Sequence, residues 1–437
     1  MHDPERIVDV FGEEIHGETC LRAMMRLIAG RAAGCGKGLL GLAAARCFTY
    51  PAAFRCLGVT DMGRLRQKLR ADLEAPAAER AFGTGWLSGV LALALALFGL
   101  GAVLFLMFPG AFSMPMLRDY YGNPWFRLGL HLVLIGAFVL ALLNLVLRRQ
   151  KIMGFTAIAA VLVATLLGGS RAQSHDFIAT DYYLGLDWFL INLTLLGILF
   201  IPLERIFARL PDQPIFRLAW REDLFYFLVN SLLVQSLTYL SLTPATTLVA
   251  HTDWGALRSF MASQPLWLQF LEIVVVTDLT QYWVHRVFHR IPALWKFHAV
   301  HHSAQKMDWL AGSRMHVVEI VCLRGFTIIP MYALGFHEWA LKAYILYIYL
   351  HSTFIHANVR FEFGWLKHIL ATPQFHHWHH GIEKEAIDVN FAATCPWLDR
   401  LFGTYHLPDR WPSGYGVGGH PVPPGYLKQL AYPFRRD

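Results

Sequence analysis

Four long apolar runs, at roughly residues 84–108, 128–147, 152–168 and 186–203, constrain this chain more than any other feature. A helix of about 20 apolar residues spans the hydrocarbon of a bilayer, and the third run is short for that task. Inside a membrane the backbone polar groups must be bonded within the segment, so each run is expected to be helical. More polar but helix-compatible stretches follow at about 222–248, 266–284, 317–334 and 339–357. With 55% apolar residues, 16% charged residues and a mean hydropathy of +0.39, the 437 residues read as an all-α polytopic bundle of about eight membrane helices. The first long run starts far from the N-terminus, so no cleavable signal peptide is expected.

Lys and Arg mark the side on which connections stay. Residues 1–84 carry Arg22, Arg26, Arg31, Arg64, Arg66, Lys68 and Arg70. The later connections alternate between poor and rich: Arg118 and Arg127; then Arg148, Arg149 and Lys151; then Arg171 alone; then Arg205, Arg209, Arg217 and Arg221. Residues 249–265 carry Arg258 alone, and Gly335 to Trp339 carry no Lys or Arg. This alternation predicts a cytoplasmic N-terminus in a bacterial inner membrane. The net charge of +7 suits anionic lipid, and no basic stripe interleaved with aromatics suggests nucleic acid. The six cysteines form no C-x-x-C pair and read as reduced small hydrophobes.

Of 21 histidines, 16 follow residue 284, in clusters. His285 and His289 lie in HRVFH, His298, His301 and His302 in HAVHH, and His376, His379 and His380 in HHWHH. Spacings of three and four put each set on one helix face. Unmetallated imidazoles gathered in a partly buried site would suffer desolvation and mutual repulsion, whereas a cation fixes them neutral. His356 is a further ligand candidate, and so is His316, as ligand or as a neighbour of one. His351, five residues before His356, sits about 140° off its face. His377 is expected to be a hydrogen-bonding neighbour. The topology puts all three clusters, as a helical cap, at the cytoplasmic membrane face.

Residues 271–290 read as one helix with Asp278, Tyr282, His285 and His289 on a common face. A carboxylate buried in an apolar helix needs a partner, so Asp278 is expected to orient a ligand histidine. The competing reading is a structural carboxylate satisfied by backbone or a Tyr hydroxyl. Eight to ten imidazoles are enough for two metals, and they suit iron, copper, nickel or zinc better than magnesium or calcium. A metal transporter would spread its histidines along a path through the bilayer. A bis-histidine haem carrier would place single histidines on facing spans.

Four regions follow: a cytoplasmic helical extension at 1–84 of unknown role with a breaker at Pro51, a four-span block at 85–203, a catalytic region at 204–410 and a tail at 411–437.

The boxes H-x-x-x-H, H-x-x-H-H and H-x-x-H-H, set after the D-x-x-x-Y helix, resemble the fatty acid hydroxylase and sterol desaturase superfamily of membrane di-iron enzymes. Arg314 with His316 and Glu319, His356-Ala-Asn358, and the closing stretch Pro396 to Tyr405 with Phe402-Gly403-Thr404 carry the same resemblance, over roughly residues 185–410. The resemblance implies two iron ions held by His285, His289, His298, His301, His302, His316, His356, His376, His379 and His380. It also implies that Asp278, Tyr282, Arg314, Glu319 and Asn358 are catalytic-site residues. The implied reaction uses dioxygen and two electrons to hydroxylate a C–H bond of a membrane lipid, or to desaturate it. No haem-binding HPGG motif is present, and GGHP at 418–421 has the order reversed. A separate cytoplasmic electron donor, a ferredoxin or a cytochrome with its reductase, is therefore expected.

Overall fold

The computed structural model describes residues 59–173, 185–252, 254–418 and 422–435. Among them every regular element is a helix, with two isolated bridges, Ala208 to Val359 and Gly381 to Tyr415. The chain divides into two units, Met1–Gln67 and Lys68–Asp437. Of the expected N-terminal extension, residues 1–58 with Pro51 and four of the cysteines lie outside the described residues, and α1 spans Val59–Leu73.

The first four apolar runs form α2 (Trp86–Met107), α3 (Pro124–Leu147), α4 (Ile152–Leu166) and α5 (Leu186–Ile206). Ala92, Ala96, Ala137, Ala141, Ala157 and Ala164 are fully buried where these helices meet. Small residues allow close backbone approach where lipid supplies no hydrophobic drive. Asn144 on α3 ties the neighbours together: its Nδ2 donates to Gly85 O at 2.8 Å, and its Oδ1 accepts from Gly154 N at 3.0 Å. Leu132, Val139, Val146 and Leu166 stay exposed, as side chains facing lipid would.

The rest of the chain folds into α6 (Trp220–Leu232), α7 (Val234–Ala250), α8 (Gly255–Ser263), α9 (Leu266–Arg290), α10 (Pro292–His302), α11 (Val317–Leu334), α12 (Glu338–His356), α13 (Pro373–His379), α14 (Pro396–Leu401) and α15 (Tyr426–Ala431). Helices thus occupy all eight stretches expected to cross the membrane. Five of the described segments are long and apolar enough to do so alone: α2, α3, α4 with the turn that follows it, α5 and α11. The pair α6 and α7, bent by 57°, is apolar enough when taken together, as a broken span or a re-entrant loop. α9 and α12 are more polar because they carry side chains of the histidine cluster.

Proline places the corners of this cap. Ile291, held extended ahead of Pro292, ends α9 and turns the chain into α10, so that the two histidine-bearing segments face each other. Pro373 and Pro396 open α13 and α14 at the first helical position, where a missing N–H costs nothing. A buried ionic network fastens the 308–314 segment beneath the cluster. Arg217 donates to Asp223 and Asp308, both at 2.6 Å, and Arg314 Nε donates to Asp223 at 2.5 Å. Glu204 Oε1 accepts from the backbone N–H of Trp309 and Asn358 at 2.7 and 2.9 Å.

Candidate metal centre

Nine imidazoles gather into two sets. His285, His289, His298, His302 and His379 form one, and His301, His356, His376 and His380 the other, with the ligand atoms of each set within 4.8 Å of one another. The sets adjoin: the rings of His302 and His380 stack at 4.4 Å, and those of His301 and His380 lie 4.7 Å apart.

Within the first set, Nε2 of His298 stands 2.9 Å from Nε2 of His285 and 3.0 Å from Nε2 of His302. Within the second, Nε2 of His356 lies 3.3 Å from that of His301 and 3.0 Å from that of His376, which is 3.2 Å from that of His380. A metal binding imidazole at about 2.0–2.1 Å separates neighbouring ligand atoms by about 2.8–3.0 Å at the corners of an octahedron and about 3.3–3.4 Å at those of a tetrahedron.

The far side of five of the nine rings explains why their nitrogens point inward. His285 Nδ1 donates to Phe391 O at 2.8 Å, His301 Nδ1 to Arg314 O at 3.1 Å, His356 Nδ1 to Ser352 O at 2.7 Å and His379 Nδ1 to Val389 O at 2.8 Å. His298 Nδ1 donates to Glu319 Oε1 at 2.6 Å. These acceptors keep the proton on Nδ1 and leave a lone pair on Nε2. Lone pairs facing each other at 3 Å repel unless a cation lies between them. Nε2 of His289 and of His379 is buried without a hydrogen-bond partner, a second sign that the ring nitrogens await a Lewis acid. Burial, reinforced by the neighbouring imidazoles, holds His298, His302, His376 and His380 well below the usual histidine range. At neutral pH they are in the form that binds metal. The donor set fits two imidazole-bound transition metals.

Nine of the ten histidines expected as ligands join the two sets, and His316 does not. Its Nδ1 accepts from Val318 N at 3.1 Å, capping α11, and its Nε2 donates to Leu430 O at 3.1 Å, so both nitrogens are engaged elsewhere. His351 stacks on Tyr347 at 5.2 Å and lies outside both sets. His377 is a neighbour: its Nδ1 meets Tyr415 Oη at 2.8 Å and its Nε2 donates to His356 O at 3.2 Å.

The carboxylate expected to orient a ligand does something else. Asp278 accepts from the backbone N–H of Ala393, Thr394 and Cys395 at 2.9, 3.1 and 2.6 Å. Glu319 holds the histidine instead. Tyr282 bonds Thr404 Oγ1 at 2.8 Å and meets the Phe391 ring edge-on. Arg314 offers His301 its carbonyl while its guanidinium joins the ionic network. Asn358 Oδ1 accepts from Leu210 N at 3.0 Å, linking α12 to the segment after α5.

Sequence reasoning missed the carbonyls of Ser352, Val389 and Phe391, because backbone acceptors have no residue signature. It marked the closing stretch that contains Asp399 but not the role of that carboxylate, which accepts from the N–H of Phe391 and Ala392 at 2.7 and 3.0 Å. The left-handed Asp388 (φ 59°) and Asn390 (φ 58°) in the same loop mark a backbone shaped for this purpose.

Residues 270–404 match the model of the family described as fatty acid hydroxylase. The chain is 33% identical over 177 residues to the ornithine lipid hydroxylase OlsE of Rhizobium tropici, covering 39% of this chain and 52% of that protein. It is 30% identical over 158 residues to an alkylglycerol monooxygenase of Xenopus tropicalis, covering 36% and 33%. Over 145 residues it is 29% identical to methylsterol monooxygenase 1-2 of Arabidopsis thaliana, covering 31% and 46%. The chain thus spans about half, or less, of the length of these relatives. No solved structure matches it.

Proposed function

Because residues 270–404 belong to the fatty acid hydroxylase family, we propose that this integral membrane protein hydroxylates a C–H bond of a membrane lipid at a centre of two iron ions. The observation that carries the reading is the pair of adjoining imidazole sets, five and four strong. When bound, the metals would supply the activation of dioxygen that an unactivated C–H bond requires.

The chain's own residues do the rest. His285, His289, His298, His302 and His379 hold one ion, and His301, His356, His376 and His380 the other. Glu319 and the carbonyls of Arg314, Ser352, Val389 and Phe391 keep protons on Nδ1 of His298, His301, His356, His379 and His285, so that these five Nε2 atoms stay donors to metal. Burial of the rings keeps bulk water from the centre. The lipid enters laterally between helices from the bilayer. Electrons come from a separate protein on the cytoplasmic side, the face to which the Lys and Arg distribution assigns the cluster.

Comparative lipidomics of cells with and without the gene tests the reaction. A membrane lipid should gain one oxygen atom in an iron- and dioxygen-dependent manner. A lipid that instead loses two hydrogens would make the enzyme a desaturase. Persistence of the same product under anoxia would defeat the oxygenase reading.

A further inference from the structure

The segment 308–314 orients half of the metal centre. In the second imidazole set, His301 Nδ1 donates to Arg314 O at 3.1 Å. The ring of His356 lies so close against Gly312 that a Cβ there would stand 3.0 Å from its Nδ1, the atom that donates to Ser352 O at 2.7 Å. Carbon rarely packs that tightly, so any larger residue would push the ring off its acceptor. The segment thus acts on His301 through a carbonyl and on His356 through contact. The first set is held otherwise: His285 and His379 take the carbonyls of Phe391 and Val389, and His298 takes Glu319.

The anchor of the segment lies about a hundred residues away in sequence, outside the stretch 270–404 that matches the hydroxylase family. Glu204, in the last turn of α5, is buried, and its Oε1 accepts from Trp309 N at 2.7 Å and from Asn358 N at 2.9 Å. Trp309 stands near the start of the segment, and Asn358 follows His356 by two residues. One oxygen therefore fixes the spacing between the segment and the end of α12. Between those two pieces of backbone the rings of His301 and His356 meet, Nε2 to Nε2 at 3.3 Å. Phe200, one helical turn before Glu204, stacks on the Trp309 ring at 6.4 Å and supports the same contact from its apolar side. Bonds from N–H to a carboxylate are short and strong, and losing the acceptor would leave two buried N–H groups without a partner.

We propose that Glu204 is a positioning residue for the second imidazole set: by fixing the 308–314 segment against the end of α12 it holds His301 and His356 at metal-binding distance, so that a helix of the four-span block governs whether the second ion binds. This rests on the reading of the two sets as two metal sites. A merely structural carboxylate would lower stability without choosing between the sets.

The full-length protein, stripped of metal and reloaded with cobalt(II) alone against a competing chelator, is read by elemental analysis. The unaltered protein should hold two ions and Glu204→Leu one, the affinity for the other falling about tenfold or more. Glu204→Gln, which keeps an acceptor oxygen in place, should restore the second ion. Pairing with ligand variants assigns the loss: Glu204→Leu should take no further ion from His356→Ala, and should take the remaining one from His285→Ala. Gly312→Ala should repeat this pattern, and it decides if Glu204→Leu fails to fold. Two ions retained, both ions lost together, an ion lost from His356→Ala, or no rescue by Glu204→Gln overturns the proposal. A single ion in the unaltered protein would refute the two-site reading and the proposal with it. Cells that make no oxidised lipid while the cobalt pattern holds would sink the hydroxylase reading and leave the role of Glu204 standing.

Discussion

At His298 the ring is held from both ends. Nδ1 donates to Glu319 at 2.6 Å, and Nε2 faces His285 and His302 at 2.9 and 3.0 Å. The carboxylate fixes the tautomer and raises the basicity of the ligand nitrogen, an effect typically worth ten- to a hundredfold in metal affinity. Glu319→Ala should therefore lower bound metal at limiting supply, and Glu319→Gln, which still accepts through its amide oxygen, should lower it less. Elemental analysis of the purified variants checks the order. Such a residue is half legible: the spacing of Arg314, His316 and Glu319 marked the segment, but not which of the three reaches a ligand. His316 went to a helix cap because it directly precedes α11, where backbone N–H groups lack partners.

Among the elements, the loop from Asp388 to Cys395 does most to shape the first imidazole set. It supplies the carbonyls for His285 and His379 and is itself pinned by two carboxylates, Asp278 from α9 and Asp399 from α14. Asp278→Ala would leave the N–H groups of Ala393, Thr394 and Cys395 buried without an acceptor, at about 1–3 kcal/mol each. The variant should unfold several degrees lower and lose metal from the set that contains His285. Thermal unfolding with metal analysis on the same sample reads both effects. Retained metal with a lowered melting point would confine Asp278 to stability.

For the whole molecule, the buried imidazoles tie stability to pH. In the metal-free protein the folded-state values of His298, His302, His376 and His380 lie well below the usual 6.5, through burial first and neighbouring imidazoles second. Burial puts His377 at about 3. Below about pH 6.5 the unfolded chain takes up protons that the folded one refuses, so stability falls as pH drops, by up to about 1.4 kcal/mol per unit for each such histidine. The melting temperature of the metal-stripped protein should be flat above pH 7 and decline steadily below 6.5. Bound metal should raise it in the neutral range and lose that effect in acid as protons displace it. A scan of melting temperature against pH, with and without metal, tests this. Topology is tested at the same scale: with single cysteines at Ala256 and Lys306, both exposed, a membrane-impermeant reagent on intact cells should label the first and spare the second.

The linear chain determined that this protein is a helical membrane bundle, because uncharged runs of bilayer length have no other use for their apolar surface. It also marked eight histidines as one group, since their helical spacings put each set on a common face, and added His356 and His316 without that support. It did not determine how they divide. HAVHH sends His298 and His302 to one set and His301 to the other, and HHWHH sends His379 to the first and His376 and His380 to the second. Spacings of three and four keep residues on the same face but separate them by a fraction of a turn. Which set each ring joins depends on the angle at which α10, α13 and α12 meet, and that angle is set by Pro292, Pro373 and packing between segments far apart in sequence. The same holds for Asp278 and Glu319, both carboxylates in apolar helices. Only tertiary structure gave backbone N–H groups to the one and an imidazole to the other, because a buried carboxylate takes whichever donor the packing brings within hydrogen-bond reach.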